Sequence, residues 1–154
     1  MNTNLQNNLP KIRLQQMIEK LKENAMRMTP QRYAVLKILA YSSDHPSVES
    51  IHAQLIDHFP TMSLATVYKT IHLLKQKGEV LELEFSDLGN RYDGNKPYPH
   101  PHVICTECGK IIDPSHINFN EITSKMMEET GFKIVTHRLD FYGICPTCQQ
   151  SKSF

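Results

Sequence analysis

The sequence predicts an α+β fold in which an N-terminal winged helix-turn-helix precedes a smaller α/β domain. Apolar residues recur at helical spacing as far as Gly78, and the period changes to strand-like alternation from Val80 onwards. Four cysteines in the last third of the sequence form two pairs with the spacing of a metal site. The 154 residues, 40% of them hydrophobic, are enough for one globular domain or two small ones.

Four helices are predicted in the first half of the chain. Thr29 is placed to cap the second helix, with Pro30 in its first turn, and Pro46–Ser47 opens the third. The fourth begins after Ser63 and runs to Gly78, a glycine typical of a helix C-terminus. The predicted buried faces are, in order, Leu14, Met17, Ile18 and Leu21; Ala34, Val35, Ile38 and Leu39; Ile51, Leu55 and Ile56; Leu64, Val67, Ile71 and Leu74.

Beyond Gly78 the sequence predicts a two-stranded wing and then a linker. Residues 80–85 alternate between apolar and polar, residues 87–90 favour a turn, and Arg91–Asp93 can return as the second strand. Prolines in residues 94–101 disfavour a regular element there. We therefore expect a winged-helix domain over residues 1–86, a linker over 87–101 and a second domain over 102–154.

The second domain is predicted to combine short strands with one helix. Strands are expected around His102–Cys105 and Lys110–Asp113, and a helix from about Glu121 to Thr130. A longer strand is expected from Phe132 to Tyr142. The cysteine pairs then connect the two ends of this domain.

Cys105 and Cys108 form one Cys-x-x-Cys pair, and Cys145 and Cys148 form the other. Two such turns can direct four thiolates at one ion, the tetrahedral arrangement of structural zinc. Two disulfides or a redox-active pair are the alternatives. The lack of a recognisable signal peptide disfavours the first, and duplication of the motif disfavours the second. We expect structural Zn²⁺ that serves folding rather than catalysis.

The formal net charge of +1 conceals two halves of opposite charge. Residues 1–78 contain ten Lys and Arg against five Asp and Glu, whereas residues 79–154 contain seven against eleven. A basic helical half is typical of a DNA-binding domain. Because a single small module makes too few contacts for tight, specific binding, we expect a dimer on palindromic double-stranded DNA. The predicted DNA-contacting residues are Arg27, Ser63, Ala65, Thr66, Tyr68 and Lys69. The alternative is that this face is merely solvated.

Five further metal donors surround the predicted junction of wing and linker. His100 and His102 are two apart in an extended stretch, so their side chains can share one face. Asp93 ends the wing, Asp113 follows the first cysteine pair, and His45 precedes the third helix. Mixed imidazole and carboxylate donors suit iron, manganese or zinc. Because His45 belongs to the first domain, a bound ion is expected to fix the interdomain angle and to act as a switch.

No apolar run approaches the roughly 18 residues that a membrane span needs. The first residues lack the basic and apolar segments of a signal peptide. We therefore expect a cytoplasmic protein that does not bind membranes.

Several stretches of the sequence, spread from about Leu14 to Cys148, form a recognisable set. They are Arg27–Arg32, His45–Ser47, Phe59–Pro60, Ser63–Lys69, Arg91–Asp93, His100–Cys105, Cys108–Lys110, His137–Leu139 and Tyr142–Cys145. The set resembles the ferric uptake regulator (Fur) family. The resemblance implies a cytoplasmic, homodimeric, metal-dependent bacterial repressor rather than an enzyme. It also implies an N-terminal winged helix, a C-terminal dimerisation domain and structural zinc at the four cysteines.

Within the family the sequence is similar to the peroxide-sensing PerR branch. All five positions of the regulatory site match, and position 113 is Asp where iron-sensing members usually carry Glu. The resemblance implies Fe²⁺ or Mn²⁺ on His45, Asp93, His100, His102 and Asp113. It further implies that bound Fe²⁺ reacts with hydrogen peroxide, that His45 or His100 is oxidised, and that metal and DNA are released. Mn²⁺ is expected to support DNA binding yet resist this chemistry.

Two features depart from the family pattern. Pro101 stands where Fur proteins often carry an acidic residue of a further metal site, so Glu121 and His137 are expected to be structural or unoccupied. The Asn-rich leader before Leu14 has no clear counterpart in the family.

Three alternatives remain at this point. One is an iron-responsive Fur-type repressor or another metal sensor of the family. A second is a small hydrolytic metalloenzyme, for which the sequence supplies no obvious additional acid–base group or substrate pocket. The third is a zinc-stapled interaction module without a regulatory metal.

Overall fold

The computed structural model describes residues 9–85 and 89–151. The predicted wing turn at Asp87 and Leu88, and the leader up to residue 8, lie outside the described residues. The elements are α1 (Leu9–Glu23), α2 (Pro30–Tyr41), α3 (Val48–Leu55), α4 (Leu64–Gln76), β1 (Leu81–Leu83), β2 (Arg91–Asp93), β3 (His102–Cys105), β4 (Ile111–Ile112), α5 (Asn120–Thr130), β5 (Asp140–Gly143) and α6 (Pro146–Ser151). The chain divides into two compact units between Tyr98 and Pro99, a point within the expected linker.

The helix boundaries of the first unit follow from their caps. The hydroxyl of Thr29 accepts a hydrogen bond from the Arg32 amide at 3.2 Å, and that of Ser63 accepts one from the Thr66 amide at 3.2 Å. At the end of α4, Gly78 adopts the left-handed conformation (φ 71°), and the next amide donates to the carbonyl of Leu74. The predicted caps and the predicted terminal glycine are thus confirmed.

The core of the first unit is built from the apolar faces of its helices. The predicted residues Leu14, Met17, Leu21, Val35, Leu39, Ile51, Leu55, Val67, Ile71 and Leu74 are all buried. The prediction was wrong for Leu64, which is 41% exposed. Leu64 lies in the first turn of α4, at the margin of the core, so helical spacing alone overestimated how far the buried stripe extends.

A buried arginine joins three segments of the first unit. The guanidinium of Arg13, on α1, donates to the carbonyl of Gly94 at 2.7 Å and to that of Glu79 at 2.6 Å. It also lies 2.7 Å from the Glu79 carboxylate. Charge-assisted hydrogen bonds of this kind compensate the desolvation of the guanidinium. Arg13 therefore fixes both the start of the wing and the start of the linker against α1.

The wing is an antiparallel pair of three-residue strands in which Leu81 lies opposite Asp93. The first strand, Leu81–Leu83, is shorter than the predicted strand over residues 80–85. Val80 and Phe85, which flank it, are nevertheless buried. The amide of Tyr92 donates to the carbonyl of Pro46 at 3.0 Å. This bond attaches the second wing strand to the loop between α2 and α3.

The second unit contains a three-stranded sheet in the order β4-β3-β5, with β4 antiparallel and β5 parallel to β3. The predicted strand from Phe132 to Tyr142 was wrong in extent. Within the described residues of that stretch, regular pairing begins only at Asp140, where the chain reaches β3, and Val135 is 86% exposed. Alternation of residue types cannot show where a neighbouring strand is available.

Helix α5 is confirmed and ends at the left-handed Gly131 (φ 70°). The short helix α6 was not predicted, although Pro146 at its first position was a usable signal. The α+β class, with a winged helix-turn-helix before a small α/β unit, is confirmed. Among the described residues, none of the helices is both long enough and apolar enough to cross a membrane.

Candidate metal centres and nucleic-acid interface

The four cysteines come together in the second unit. Parallel pairing places Cys105, at the end of β3, opposite Gly143 of β5, so the turns that follow these strands are neighbours. The turn after β3 closes with the amide of Gly109 donating to the carbonyl of Cys105 at 2.9 Å, with Gly109 at φ 71°. Cys148 is supplied by α6. All four sulfurs lie within 4.8 Å of one another, and none of the four is in a disulfide.

The geometry of this cluster fits a four-sulfur zinc site. Sulfurs at tetrahedral positions about 2.3 Å from one ion are separated by about 3.8 Å. The Sγ atoms of Cys108 and Cys145 lie 3.8 Å apart. Four thiolates around one position match the donor set that zinc prefers in structural sites.

The protonation of the cluster is uneven. Backbone hydrogen bonds, first of all from the amide of Cys145 at 3.3 Å, lower the pKa of Cys105 to about 6. Hydrogen bonds with the thiols of Cys145 and Cys108 raise the pKa of Cys148 to about 12. Backbone hydrogen bonds therefore favour the thiolate form of Cys105, the form that binds a cation. Cys148, in contrast, must lose its proton when a metal binds.

In the first unit, His45 and Asp93 form a buried pair. Their Nε2 and Oδ2 atoms lie 3.1 Å apart, and both side chains are almost completely excluded from solvent. The other carboxylate oxygen of Asp93 accepts hydrogen bonds from the amides of Asn95 and Lys96 at 2.9 and 2.8 Å. Asp93 thus has one oxygen that shapes the linker and one that faces the imidazole.

The loop that carries His45 is held from the wing. His45 has a left-handed backbone (φ 50°), which is unfavourable for a residue with a side chain. Arg91, two residues before Asp93, donates from its guanidinium to the carbonyl of His45 and, at 2.8 Å, to that of Asp44. The same short strand therefore positions both members of the His45–Asp93 pair.

In the second unit, His100, His102 and Asp113 lie together. The Nε2 atoms of His100 and His102 lie 3.2 and 3.8 Å from the two carboxylate oxygens of Asp113, and the two rings are 4.4 Å apart between centroids. This agrees with the prediction that the histidines share a face. The opposite nitrogen of His102, Nδ1, lies 3.2 Å from Asp140, a residue that the sequence analysis missed. Only the parallel register of β3 and β5 reveals that proximity.

Glu121 and His137 have other contacts. Glu121 is exposed and pairs with Lys125 at 3.1 Å, and the ring of His137 lies 5.6 Å from that of Phe119. Across residues 9–85 and 89–151, the groups of three or more potential metal donors include neither residue.

The predicted DNA-contacting residues lie at the surface of the first unit. Arg27, Ser63, Ala65, Tyr68 and Lys69 are exposed, and Thr66 is partly exposed. Most belong to the first turns of α4, which lack acidic residues, so the positive end of the helix dipole is not neutralised by α4 itself. Glu49 on α3 reaches the hydroxyl of Tyr68 at 3.5 Å. An exposed helix start of this kind can enter a major groove.

A winged helix-turn-helix joined to a unit with a cysteine cluster and buried His and Asp donors is the architecture of a metal-dependent regulator. Comparison with known proteins makes the assignment specific. The sequence model of the Ferric uptake regulator family matches residues 23–142. The chain belongs to the ferric uptake regulator family.

The chain is similar to regulators of more than one kind within that family. The Peroxide operon regulator of Bacillus subtilis is 39% identical over 140 residues, which make up 91% of this chain and 96% of that protein. The Helicobacter pylori Fur structure, described as having three functional metal binding sites, matches with a TM-score of 0.80 at 27% identity, over 94% and 96% of the two chains. The structure of PerR from Streptococcus pyogenes matches with a TM-score of 0.51 at 38% identity, over 88% and 92%.

Proposed function

We propose that this protein is a cytoplasmic, metal-dependent, peroxide-sensing transcriptional repressor. The observation that carries the proposal is the pair of buried donor sets, His45 with Asp93 in the first unit and His100, His102 and Asp113 in the second. The 39% identity to a peroxide operon regulator supports the choice of signal. The proposal includes the domain division into residues 1–86, 87–101 and 102–154.

The four cysteines hold structural Zn²⁺ in this proposal. The sulfur spacing in the second unit supports it, as does the small number of buried apolar residues among the part of this unit that the structure describes. Zinc then supplies folding free energy that the apolar contacts of this unit do not.

The five His and Asp residues hold one regulatory Fe²⁺ or Mn²⁺ in this proposal. Each unit alone offers only two or three of these donors, and two carboxylates balance the charge of a divalent cation. An ion that needs donors from both units binds one arrangement of them more tightly than others, which is the thermodynamic requirement of a switch. Arg91 supports this role, because its hydrogen bonds hold the loop that carries His45 against the wing.

When bound, Fe²⁺ would promote the oxidation of a ligand imidazole by hydrogen peroxide, whereas Mn²⁺ would not. In the net step the ring carbon of His45 or His100 would exchange its hydrogen for a hydroxyl from peroxide. The ring would lose two electrons, and the second peroxide oxygen would leave as water. An oxidised ring is a poorer and bulkier ligand than imidazole. The proposed consequence is loss of the metal and release of operator DNA.

DNA is bound by a homodimer on a palindromic operator in this proposal, through Arg27, Ser63, Ala65, Thr66, Tyr68 and Lys69. Exposed apolar residues of the second unit, among them Ile122, Met126, Val135 and Phe141, support self-association there. A dimer doubles the phosphate and base contacts that one small module can make.

The test is a gel shift on a palindromic promoter fragment with the zinc-containing protein. Fe²⁺ and Mn²⁺ are each expected to restore the binding that chelation of the non-sulfur metal removes. Stoichiometric hydrogen peroxide is then expected to abolish binding only for the Fe²⁺ form, with a single-oxygen adduct on the His45 or His100 peptide by mass spectrometry. DNA binding that is indifferent to chelation contradicts the metal switch.

An iron-responsive Fur-type repressor is the second candidate. The TM-score is higher for Helicobacter pylori Fur than for Streptococcus pyogenes PerR, although the sequence identity is lower. DNA binding by the Fe²⁺ form that survives stoichiometric peroxide selects this candidate.

A further inference from the structure

The parallel register of the second unit places Asp140 beside His102. The two residues are Cα partners across β3 and β5, so their side chains project from the same face of the sheet. The Nδ1 atom of His102 lies 3.2 Å from Oδ1 of Asp140, and the side chains are only 1% and 9% exposed. A buried imidazole and carboxylate at this distance form a well-defined hydrogen bond.

The second oxygen of Asp140 is also engaged. Nε of Arg138 lies 2.5 Å from Oδ2, and the arginine side chain is 41% exposed. The guanidinium contact holds this oxygen and so fixes the rotation of the buried carboxylate. Asp140 is thus a strong acceptor that cannot easily turn away from His102.

The two nitrogens of His102 face different carboxylates. Nδ1 lies 3.2 Å from Asp140, whereas Nε2 lies 3.8 Å from Oδ1 of Asp113, beyond hydrogen-bond distance. A neutral imidazole has a single N–H and donates from one nitrogen only. The hydrogen bond with the Asp140 carboxylate favours the proton on Nδ1, which leaves the lone pair on Nε2.

We propose that Asp140, held by Arg138, is a positioning residue that fixes His102 in its Nδ1–H tautomer and so presents Nε2 as a metal donor. Carboxylate–histidine–metal arrangements set ring orientation and raise the basicity of the ligand. The tautomer belongs to the protein before any regulatory metal arrives. The role as a donor rests on the proposed function.

The first test reads the tautomer without the regulatory metal. Histidine ¹⁵N NMR is recorded on the full-length, zinc-containing protein at about pH 8, above the ordinary histidine pKa of about 6.5. The His102 signals are assigned by their loss in His102→Gln. The wild type is expected to have the proton on Nδ1, and Asp140→Ala is expected to shift it towards Nε2. A wild-type His102 protonated on Nε2 overturns the proposal.

The second test measures Mn²⁺ affinity by competition with a chelating dye. Asp140→Asn, which keeps the shape of the side chain, and Asp140→Ala are expected to bind Mn²⁺ about 10- to 100-fold more weakly at unchanged zinc content. Arg138→Gln is expected to lose less. The control Glu121→Gln removes an exposed carboxylate from the same unit and is expected to bind as the wild type does.

The outcomes distinguish the positioning role of Asp140 from the existence of the regulatory metal site. Wild-type affinity in Asp140→Asn overturns the positioning role even if the regulatory site exists. A wild type that binds no Mn²⁺ outside the cysteines contradicts the proposed function and, with it, the role of His102 as a donor. The NMR result then still decides whether Asp140 sets the tautomer.

Discussion

At the scale of single residues, Asp93 and Gly94, at the end of β2, are held by contacts with several segments of the first unit. Asp93 uses one oxygen for backbone amides and one for His45, and the carbonyl of the next residue, Gly94, accepts from Arg13. A Cβ at Gly94 would lie 2.7 Å from Cβ of Leu39 and 2.7 Å from Cε of Met17. The position of the His45–Asp93 pair therefore depends on a glycine that packs directly against the helical core.

Gly94→Ala is expected to lower the free energy of unfolding by about 1–3 kcal/mol, the usual cost of overpacking a core. The end of Met17 can move, but Leu39 is buried and cannot yield easily. Urea denaturation of the full-length protein followed by circular dichroism measures the loss. Gly143→Ala is the control, since its Cβ would meet nothing within 4 Å. Equal stability of Gly94→Ala and the wild type contradicts this account.

At the scale of elements, α4 combines a structural cap with an exposed surface. Ser63 caps the helix through Thr66, so its hydroxyl is already used within the protein. Val67, Ile71 and Leu74 anchor one face in the core, while Tyr68 and Lys69 are exposed. We therefore expect substitution of Ser63 to affect the stability of the protein, and substitution of Lys69 to affect DNA binding.

Ser63→Ala is expected to destabilise the protein by about 1 kcal/mol, because the first turn of α4 loses its cap. Ser63→Asn retains a capping oxygen and is expected to be close to the wild type in thermal and urea unfolding. Unchanged stability of Ser63→Ala shows that the cap hydrogen bond contributes nothing measurable.

Lys69→Gln is expected to weaken binding to all DNA sequences by a similar factor, because a lysine on phosphate carries charge rather than sequence information. In a dimer, the loss of two phosphate contacts makes the negative slope of log affinity against log salt concentration less steep by about 1.8. Fluorescence anisotropy over a salt series measures the slope. Lys133→Gln removes the same charge from the second unit, and its slope is expected to be unchanged. A wild-type slope for Lys69→Gln excludes the contact.

At the scale of the whole molecule, the two units obtain stability differently. The first has a continuous core from four helices and the wing. In the second, the buried apolar side chains of the described residues are few, chiefly Ile104 and Ile111 beside Cys105, and many large apolar side chains are exposed. A unit with so little buried apolar surface requires a metal, a partner subunit or both.

Cys108→Ser is expected to lose zinc, dimer formation and the fold of the second unit, while the first unit keeps a cooperative thermal transition. Metal analysis, analytical ultracentrifugation and circular dichroism measure the three properties. Glu107→Gln, in the same turn, keeps all four sulfurs and is expected to retain zinc. A zinc-free Cys108→Ser that is still a folded dimer contradicts the structural role of the metal.

The sequence by itself determined α1 to α5, the caps of α2 and α4, the wing and the cysteine pairs, because each is encoded by local spacing or by the chemistry of a single position. Thr29, Ser63 and Gly78 each stop or start a helix through bonds to residues at most four away. Motif spacing also identified His45, Asp93, His100, His102 and Asp113 as candidate donors.

Only the tertiary structure decided which distant residues support those donors and where the last strand begins. The contact of Asp140 with His102 depends on the register of two strands, and the contact of Arg91 with the His45 loop depends on how β2 packs against that loop. The exposure of Leu64 and the late start of β5 have the same cause, since burial and pairing require a neighbour that local sequence does not specify. Local sequence therefore determines which helices and strands form, and long-range packing determines which of them are in contact.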